Sequence, residues 1–554
     1  VGLHPKAPRR LLALAAVALA LGLTLTGCGS AKSTRSDPKP PRGSHPGSSQ
    51  TDPTTAPSAT PAATTVPPST AAPTTGPAAT PATTPNTRPL PSGFLGLSMQ
   101  YKAFEQYAGT NPKSVNPVFL NLIRQIAPDQ SPVLRFGGDS TDWTWWPVPG
   151  MKKPPGVTYT LTPQWLQIAR AMNADLNSRL ILGVNLEAAS VKLAQTEANA
   201  LVNGIGKQNI AGLEIGNEPE LYSAFNWYRT ADGVGVKGRS PSWTEAAFFK
   251  QFNQFASVMP AGVPVAGPAS GSASYLAELG SFLKGQPRVK LSTFHAYPLK
   301  HCTRAKVVTM SQLLSPASSS GFAQAQAQYV NVSHKYGKLA RLDEMNGITC
   351  GGYGGVSDAF GSALWVLDTL FELDKVGVDG VNIQTVPGGV QEIFGPVAGD
   401  GGSMVVHPEF YGLMMFAQAA PAGSQLITIP ATLPPSVKLW ATRATDGTVH
   451  VVLINDNFTK PATVNVPLSS PAGPGTLEAL RAPHIGATSG VTLGGRSFGT
   501  ATTTGLLPSS QLQQVSASGG HYSVRVPPAT AVMLTVPGSA STTTSTSSTT
   551  TPAP

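Results

Sequence analysis

Eight short apolar runs, each followed by a stretch with helical spacing, limit how this chain can fold more than any other feature. The runs are 93–99 (GFLGLSM), 132–138 (PVLRFGG), 179–186 (RLILGVNL), 209–219 (NIAGLEIGNEP), 264–270 (PVAGPAS), 289–298 (VKLSTFHAYP), 338–346 (KLARLDEMN) and 378–385 (VDGVNIQT). Helical patterns follow at 114–127, 162–179, 191–205, 243–257, 274–284, 321–336, 356–377 and 407–420. The second of these opens on Thr162 and Pro163, a cap followed by a proline in the first turn. Strands that are apolar throughout suit a parallel sheet buried on both faces. Eight strand–helix pairs in about 330 residues is the count of a (β/α)₈ barrel. The alternative is an open doubly wound sheet, but no glycine-rich dinucleotide turn follows the first run.

After residue 425 the period changes. Residues 437–456 alternate in period two around Asp446-Gly447, a hairpin signal, and 521–536 alternate similarly. The expected architecture is α/β: a (β/α)8 TIM barrel over 91–424, then a β-sandwich over 425–537.

The ends read differently. Residues 1–27 have a basic start (His4, Lys6, Arg9, Arg10) and a charge-free run from Leu11 to Thr26, too short for a spanning helix of ~20 residues. They end in Leu25-Thr26-Gly27-Cys28, which resembles a bacterial lipobox. The resemblance implies a lipoprotein signal peptide, lipidation of Cys28 and a lipid anchor at the bacterial cell surface. An ordinary cleaved signal is the alternative. Residues 28–90 are a Pro/Thr/Ala-rich linker and 538–554 a Ser/Thr-rich tail; neither has the apolar residues to order itself. The hydrophobic share of 41% leaves enough for a large core in between. Of the formal charge of +10, three units come from Lys6, Arg9 and Arg10, so no nucleic-acid partner is expected.

In such a barrel, functional groups stand at the carboxyl ends of the strands. Glu218 ends the fourth strand and Glu344 the seventh. Two carboxylates converging on one mouth suit glycoside hydrolysis, one protonating the leaving oxygen and the other attacking the anomeric carbon. Glu214 and Glu220 are the competing acids; Glu214 lies within the strand and reads as structural, Glu220 lies further into the loop. Asp343 is expected on the opposite face of the pleat from Glu344. No cluster has metal-ligand spacing, and the chemistry calls for no cofactor.

RFGGDSTDW (135–143), EIGNEP (214–219), FHAYP (294–298), and Glu344 followed by Gly351-Gly352-Tyr353-Gly354-Gly355 and a Ser-Asp-x-Phe helix together resemble glycoside hydrolase family 79. That family contains β-glucuronidases and heparanase-like enzymes, in a retaining clan with catalytic glutamates on barrel strands four and seven. The resemblance spans about 91–537. It implies that Glu218 is the acid/base and Glu344 the nucleophile. Asn217 would bind the sugar 2-hydroxyl, Arg135 would pair with the nucleophile, and Tyr297 would touch its oxygen. Asp142 and Gln384 would contact sugar. His295 would line the pocket or be a satisfied core histidine. Backbone amides and a tyrosine of the glycine-rich loop would hold a uronic carboxylate: Tyr353-Gly354-Gly355 resembles that element, with Gly351 and Thr349 as the alternative for its place.

Cys302 follows strand six and Cys350 strand seven, on neighbouring loops, so a disulfide that pins the nucleophile loop is expected in an exported chain, with two free thiols as the alternative. Trp143, Trp145 and Trp146 are expected to serve partly as a subsite wall and partly as packing. The leading function is a retaining β-glucuronidase-type glycosidase acting on a uronic-acid-containing carbohydrate. The alternatives are a clan relative acting on a neutral sugar and a non-catalytic carbohydrate-binding protein. An endo-acting enzyme on sulfated chains is disfavoured, since no dense Lys/Arg cluster is present.

Overall fold

The computed structural model describes residues 88–302, 307–468, 474–509 and 512–538. The signal and lipidation expectations, with nearly all of the linker and tail, fall outside these residues. No helix among the described residues is long and apolar enough to cross a membrane.

Eight parallel strands close into a barrel: β1 (Leu95–Gln100), β2 (Val133–Gly137), β3 (Arg179–Val184), β4 (Ile210–Ile215), β5 (Val265–Ser270), β6 (Val289–Ala296), β7 (Leu339–Met345) and β8 (Gly380–Gln384). Each strand pairs with its neighbour in sequence, and β8 closes on β1 with Ser98 opposite Gln384. All eight coincide with the apolar runs. The helices around them include α1 (Pro117–Ile126), α2 (Pro163–Leu176), α3 (Val191–Ile205), α4 (Glu245–Ser257), α5 (Leu279–Gly285), α6 (Ser320–Lys335), α7 (Phe360–Lys375) and α8 (Pro408–Ala419). Their starts follow local chemistry: Asn116, Thr162, Ser190 and Thr244 each accept a backbone N–H from the first turn. The helical pattern at 274–284 is two short helices, Ala273–Ala277 and α5, because Glu278 leaves helical geometry between them.

The C-terminal part is a sheet whose main strands are β9 (Val437–Arg443), β10 (Val449–Asn455), β12 (Gly475–Arg481) and β14 (Thr530–Val536). A two-stranded ribbon, β11 (Ala462–Pro467) with β13 (His521–Val526), covers one face. Period two sorts β10 cleanly: Val451 and Leu453 pack toward the ribbon, while Val452 and Ile454 join the core shared with the barrel. On the barrel side, Asp368 of α7 accepts hydrogen bonds from Lys438 Nζ (2.7 Å) and Trp440 Nε1 (2.9 Å). The continuous alternation at 521–536 is broken in the structure. Pro527 and Pro528 separate β13 from β14, and the two strands join different sheets.

Candidate active site

Arg135 on β2 is buried inside the barrel, and the candidate residues assemble around its guanidinium. Its Nε lies 2.6 Å from Glu214 Oε2 and 3.3 Å from Asp343 Oδ2. Nη1 donates to Glu344 Oε2 at 2.6 Å and to Ser98 Oγ at 3.1 Å. Nη2 donates to Asn217 Oδ1 at 2.9 Å and faces His295 Nε2 at 3.2 Å. Four strands, β4, β6, β7 and β1, thus send side chains to one cation. A buried charge needs this many partners to be tolerated.

The strand ends explain how Glu218 and Glu344 reach one mouth. β4 stops at Ile215, and Glu218 then takes a left-handed backbone (φ 46°, ψ 58°), a costly conformation for a non-glycine residue. Its N–H is held by Ala269 O at 2.8 Å, at the end of the adjacent β5. In β7, register slips: Phe294 pairs with Leu342, but His295 pairs with Glu344. That irregularity turns Glu344 inward beside Asp343, so the expectation that strict alternation would send Asp343 to the opposite face is corrected. One oxygen of Glu218 lies within 4.8 Å of one oxygen of Glu344.

Environment separates the acids. Burial pushes the Glu344 carboxyl up, but the charges of His295 and Arg135 and the hydrogen bonds from Arg135 and Tyr297 outweigh it, and the group is held below the usual range. Tyr297 Oη donates to Glu344 Oε1 at 2.9 Å. Glu214 is likewise brought down to about 2, because Arg135 overcomes its burial. Asp343 goes the other way: burial and the Glu214 charge raise it well above the ordinary carboxylate range. Asp343 and Glu214 are hydrogen-bonded to each other, the contact that goes with the raised Asp343 and the lowered Glu214. His295 Nδ1 lies 3.1 Å from Glu218 Oε1. Burial lowers the imidazole, but Glu344 and the Glu218 hydrogen bond lift it to about 9. With Nε2 facing Arg135, the Nδ1–H donates to Glu218 in either charge state. His295 thus stands between Glu218 and Arg135 and contacts both.

The remaining expected residues divide. Asn217 is fixed on both sides: Oδ1 accepts from Arg135, and its N–H donates to Asp142 Oδ2 at 3.1 Å. Asp142 does not face the mouth. It is enclosed behind Asn217 and accepts from Leu186 N, Glu187 N and Tyr222 Oη at 2.8, 3.0 and 2.7 Å. Its sequence position near the end of β2 is overridden by the short helix Ser140–Trp143, which turns it inward. Gln384 closes the β8 side, with its amide nitrogen beside Gly138. Glu220 is occupied by Ser270 Oγ (2.8 Å) and Gly271 N (2.7 Å), which ties the loop after β4 to the end of β5.

Cys302 and Cys350 form a disulfide. Beyond it, Leu299 and Ile348 extend the β6–β7 pairing as a parallel bridge, and His301 lies edge-on to Tyr353 at 4.6 Å. The loop carrying Gly351, Tyr353 and Gly354 is thus strapped to the loop after β6. The tryptophans diverge. Trp145 is buried against Val157 and Leu193, Trp146 packs on the outer side with α2 and α3, and Trp143 lies under Lys102 Nζ at 4.8 Å. Trp145 and Trp146 are therefore spent on packing, the second of the two uses expected for this cluster.

Sequence reasoning did not single out Asp139, Gln100, Ser98 or Tyr222. Asp139 was visible in the GGDSTD segment, but nothing local distinguishes it from Asp142. Two sets of three metal-ligand-type side chains meet here, Glu214–His295–Asp343 and Glu218–His295–Glu344. The Arg135 guanidinium touches all three members of the first set, and His295 and Glu344 of the second.

No protein-family model matches the chain. A β-glucuronidase of Neurospora crassa is 22% identical over 396 residues, 63% of this chain and 67% of that protein. A 4-O-α-L-rhamnosyl-β-D-glucuronidase of Fusarium oxysporum superposes with a TM-score of 0.64 at 17% identity, covering 82% of this chain and 99% of that one. A family 51 arabinofuranosidase of Xanthomonas axonopodis pv. citri superposes with a TM-score of 0.58 at 15% identity, covering 82% and 97%. What the chain has in common with these proteins is the barrel-and-sheet fold of glycoside hydrolases, and it is glycoside hydrolase-like.

Proposed function

We propose that the chain is a retaining glycoside hydrolase that releases a β-linked uronic acid, with motifs that resemble family 79. The observation that carries this reading is the approach of Glu218 and Glu344 to within 4.8 Å, oxygen to oxygen, with Glu344 held ionised. Retaining enzymes keep their carboxyls ~5–5.5 Å apart and inverting ones farther. A Glu344 oxygen attacks the anomeric carbon as the glycosidic C–O bond breaks, and Glu218 gives its proton to the departing oxygen. Water then attacks the same carbon, Glu218 takes its proton, and Glu344 leaves as a carboxylate. With Asn217 Oδ1 committed to Arg135, its NH₂ group is left to donate to the sugar 2-hydroxyl. The backbone amides of Gly351 and Gly354, with Tyr353, receive the uronic carboxylate. That the Neurospora protein is a β-glucuronidase and the Fusarium one a rhamnosyl-β-D-glucuronidase supports a uronic substrate.

The test is hydrolysis of an aryl β-D-glucuronide against the glucoside and xyloside, with the first-formed anomer read by NMR. Glucuronide turnover giving β-product, abolished in Glu344→Gln with folding intact, supports the reading. Preference for a neutral sugar, binding without turnover, or α-product first contradicts it. We also propose that Cys28 carries a lipid that tethers the enzyme to the bacterial cell surface; failure of Cys28→Ser to release it from membranes contradicts that.

A further inference from the structure

The loop that carries Asn217 and Glu218 holds two left-handed residues, Gly216 at φ +79° and Glu218 at φ 46°, and the second is not a glycine. Such a backbone persists only where its surroundings over-determine it. From β5, Ala269 O takes the Glu218 N–H at 2.8 Å, and Ser270 Oγ and Gly271 N donate to Glu220. From the end of β2 comes Asp142. Its Oδ2 accepts from Asn217 N at 3.1 Å and from Tyr222 Oη at 2.7 Å, and Asn217 N lies 3.2 Å from that same hydroxyl. One oxygen thus clasps the chain before and after Glu218. Gly216 leaves the room for this, since a Cβ there would lie 2.6 Å from Tyr222 Oη.

The other oxygen, Oδ1, accepts from Leu186 N at 2.8 Å and Glu187 N at 3.0 Å, in the loop after β3. These two residues turn their carbonyls to Arg239, whose Nη2 donates to Leu186 O at 2.7 Å and Nη1 to Glu187 O at 2.6 Å. The same guanidinium lies over the Tyr222 ring, 5.3 Å from its centroid. Asp142 therefore sits at the junction of the loops after β3 and β4, and Arg239 backs both. Two donors on each oxygen is the full complement of a carboxylate, so no acceptor is left for a ligand. Asp142 is 2% exposed, whereas the Glu218 side chain is 22% exposed at the mouth. Burial raises Asp142, and its four hydrogen bonds oppose that. The adjacent Glu187, lifted to about 9 by burial and then by the Asp142 charge, holds the proton of the pair.

Resting on the function proposed above, we infer that Asp142 is the positioning residue of the acid: without touching the sugar, it fixes the backbone on both sides of Glu218 and so aims that carboxyl at the leaving oxygen. An ionised aspartate suits the place because it only accepts. An asparagine there has one oxygen. The N–H groups of Leu186 and Glu187 cannot reverse, while the Tyr222 hydroxyl can turn and accept. The oxygen therefore stays with Leu186 and Glu187, and the NH₂ group faces the Asn217 N–H. Two donors then meet, and the chain before Glu218 is pushed out of place.

The experiment compares kcat/KM of wild type, Glu218→Ala, Asp142→Asn and Tyr222→Phe on phenyl and 2,4-dinitrophenyl β-D-glucuronides. Dinitrophenolate departs without a proton and phenolate needs one, so the ratio of the two substrates reads the acid alone. Loss of folded protein, or of a sugar contact, lowers both and leaves the ratio unmoved. Glu218→Ala sets the scale, with a dinitrophenyl-to-phenyl ratio expected to rise roughly a hundredfold or more over wild type. Asp142→Asn is expected to raise it roughly ten- to a hundredfold, the size of a small misplacement of a reacting group. Tyr222→Phe removes one donor, leaves the carboxylate in place and is expected to raise the ratio less. An Asp142→Asn ratio equal to wild type, where Glu218→Ala shows the split, overturns the inference and spares the acid assignment. Should Asp142→Asn not fold, the Tyr222→Phe ratio decides in the same way. No split in Glu218→Ala overturns the acid assignment and the inference together. If wild type cleaves an aryl glucoside or xyloside and no glucuronide, the uronic reading fails, and the same ratio on that glycoside decides the role of Asp142. A wild type that cleaves none of them overturns both.

Discussion

Arg135 Nη1 donates to Glu344 Oε2 at 2.6 Å while its Nε holds Glu214 Oε2 at the same distance, so one guanidinium neutralises both an interior structural acid and the candidate nucleophile. Folding and chemistry rest on the same cation.

Removing that cation should therefore damage both. Arg135→Met removes the counter-charge of the buried Glu214 and one of the two that face Glu344. Breaking a buried pair in this way costs ~3–5 kcal/mol. Urea denaturation should show that loss, and the acid limb of kcat/KM in any residual activity should move to higher pH as Glu344 loses its counter-charge. A variant as stable as wild type, with an unmoved acid limb, would contradict the arrangement.

The pH dependence of stability has a definite sign on each side. Glu214 is lowered from 4.5 to about 2, so its contribution is present above 4.5 and is lost as pH falls toward 2. His295 is raised from 6.5 to about 9, so its contribution is complete below 6.5 and is lost as pH rises through 9. Raised carboxyls such as Glu187 and Glu409, at about 9 and about 8, contribute fully below 4.5 and lose that contribution as pH rises from 4.5 through those values. The wild-type minus His295→Gln difference isolates the imidazole. It should shrink between pH 6.5 and 9; a difference flat across that window counts against a protonated His295.

The Cys302–Cys350 bridge closes a loop of 48 residues in sequence and fastens the glycine-rich segment after Glu344. Loop-closure entropy of that size is worth up to about 4 kcal/mol. Cys302→Ser/Cys350→Ser should lower the melting temperature and raise KM for the glucuronide more than it lowers kcat, since the loop is assigned to carboxylate binding. An unchanged KM would detach the loop from the substrate.

Much of this was legible before any coordinates. The eight runs became the eight strands because a parallel strand buried on both faces must be apolar along its length, and Asn217-Glu218-Pro219 sits where such a strand ends. Three things were not. The inward turn of both Asp343 and Glu344 depends on a register slip between β6 and β7, a property of two strands together. Asp142 and Asp139 stand three residues apart with similar local chemistry, and only the fold hides one and opens the other. The division of 521–536 between two sheets needed the partners of each half, although Pro527-Pro528 marked the place.

The central claim is that Glu344 bonds covalently to the sugar while Glu218 serves as acid and base. A 2-deoxy-2-fluoro-β-D-glucuronyl fluoride should inactivate the enzyme with time, and mass spectrometry of the digested protein should find one fluoroglucuronyl group, on the peptide containing Glu344. A label on any other residue, or full activity on glucuronides with no label at all, would contradict the account.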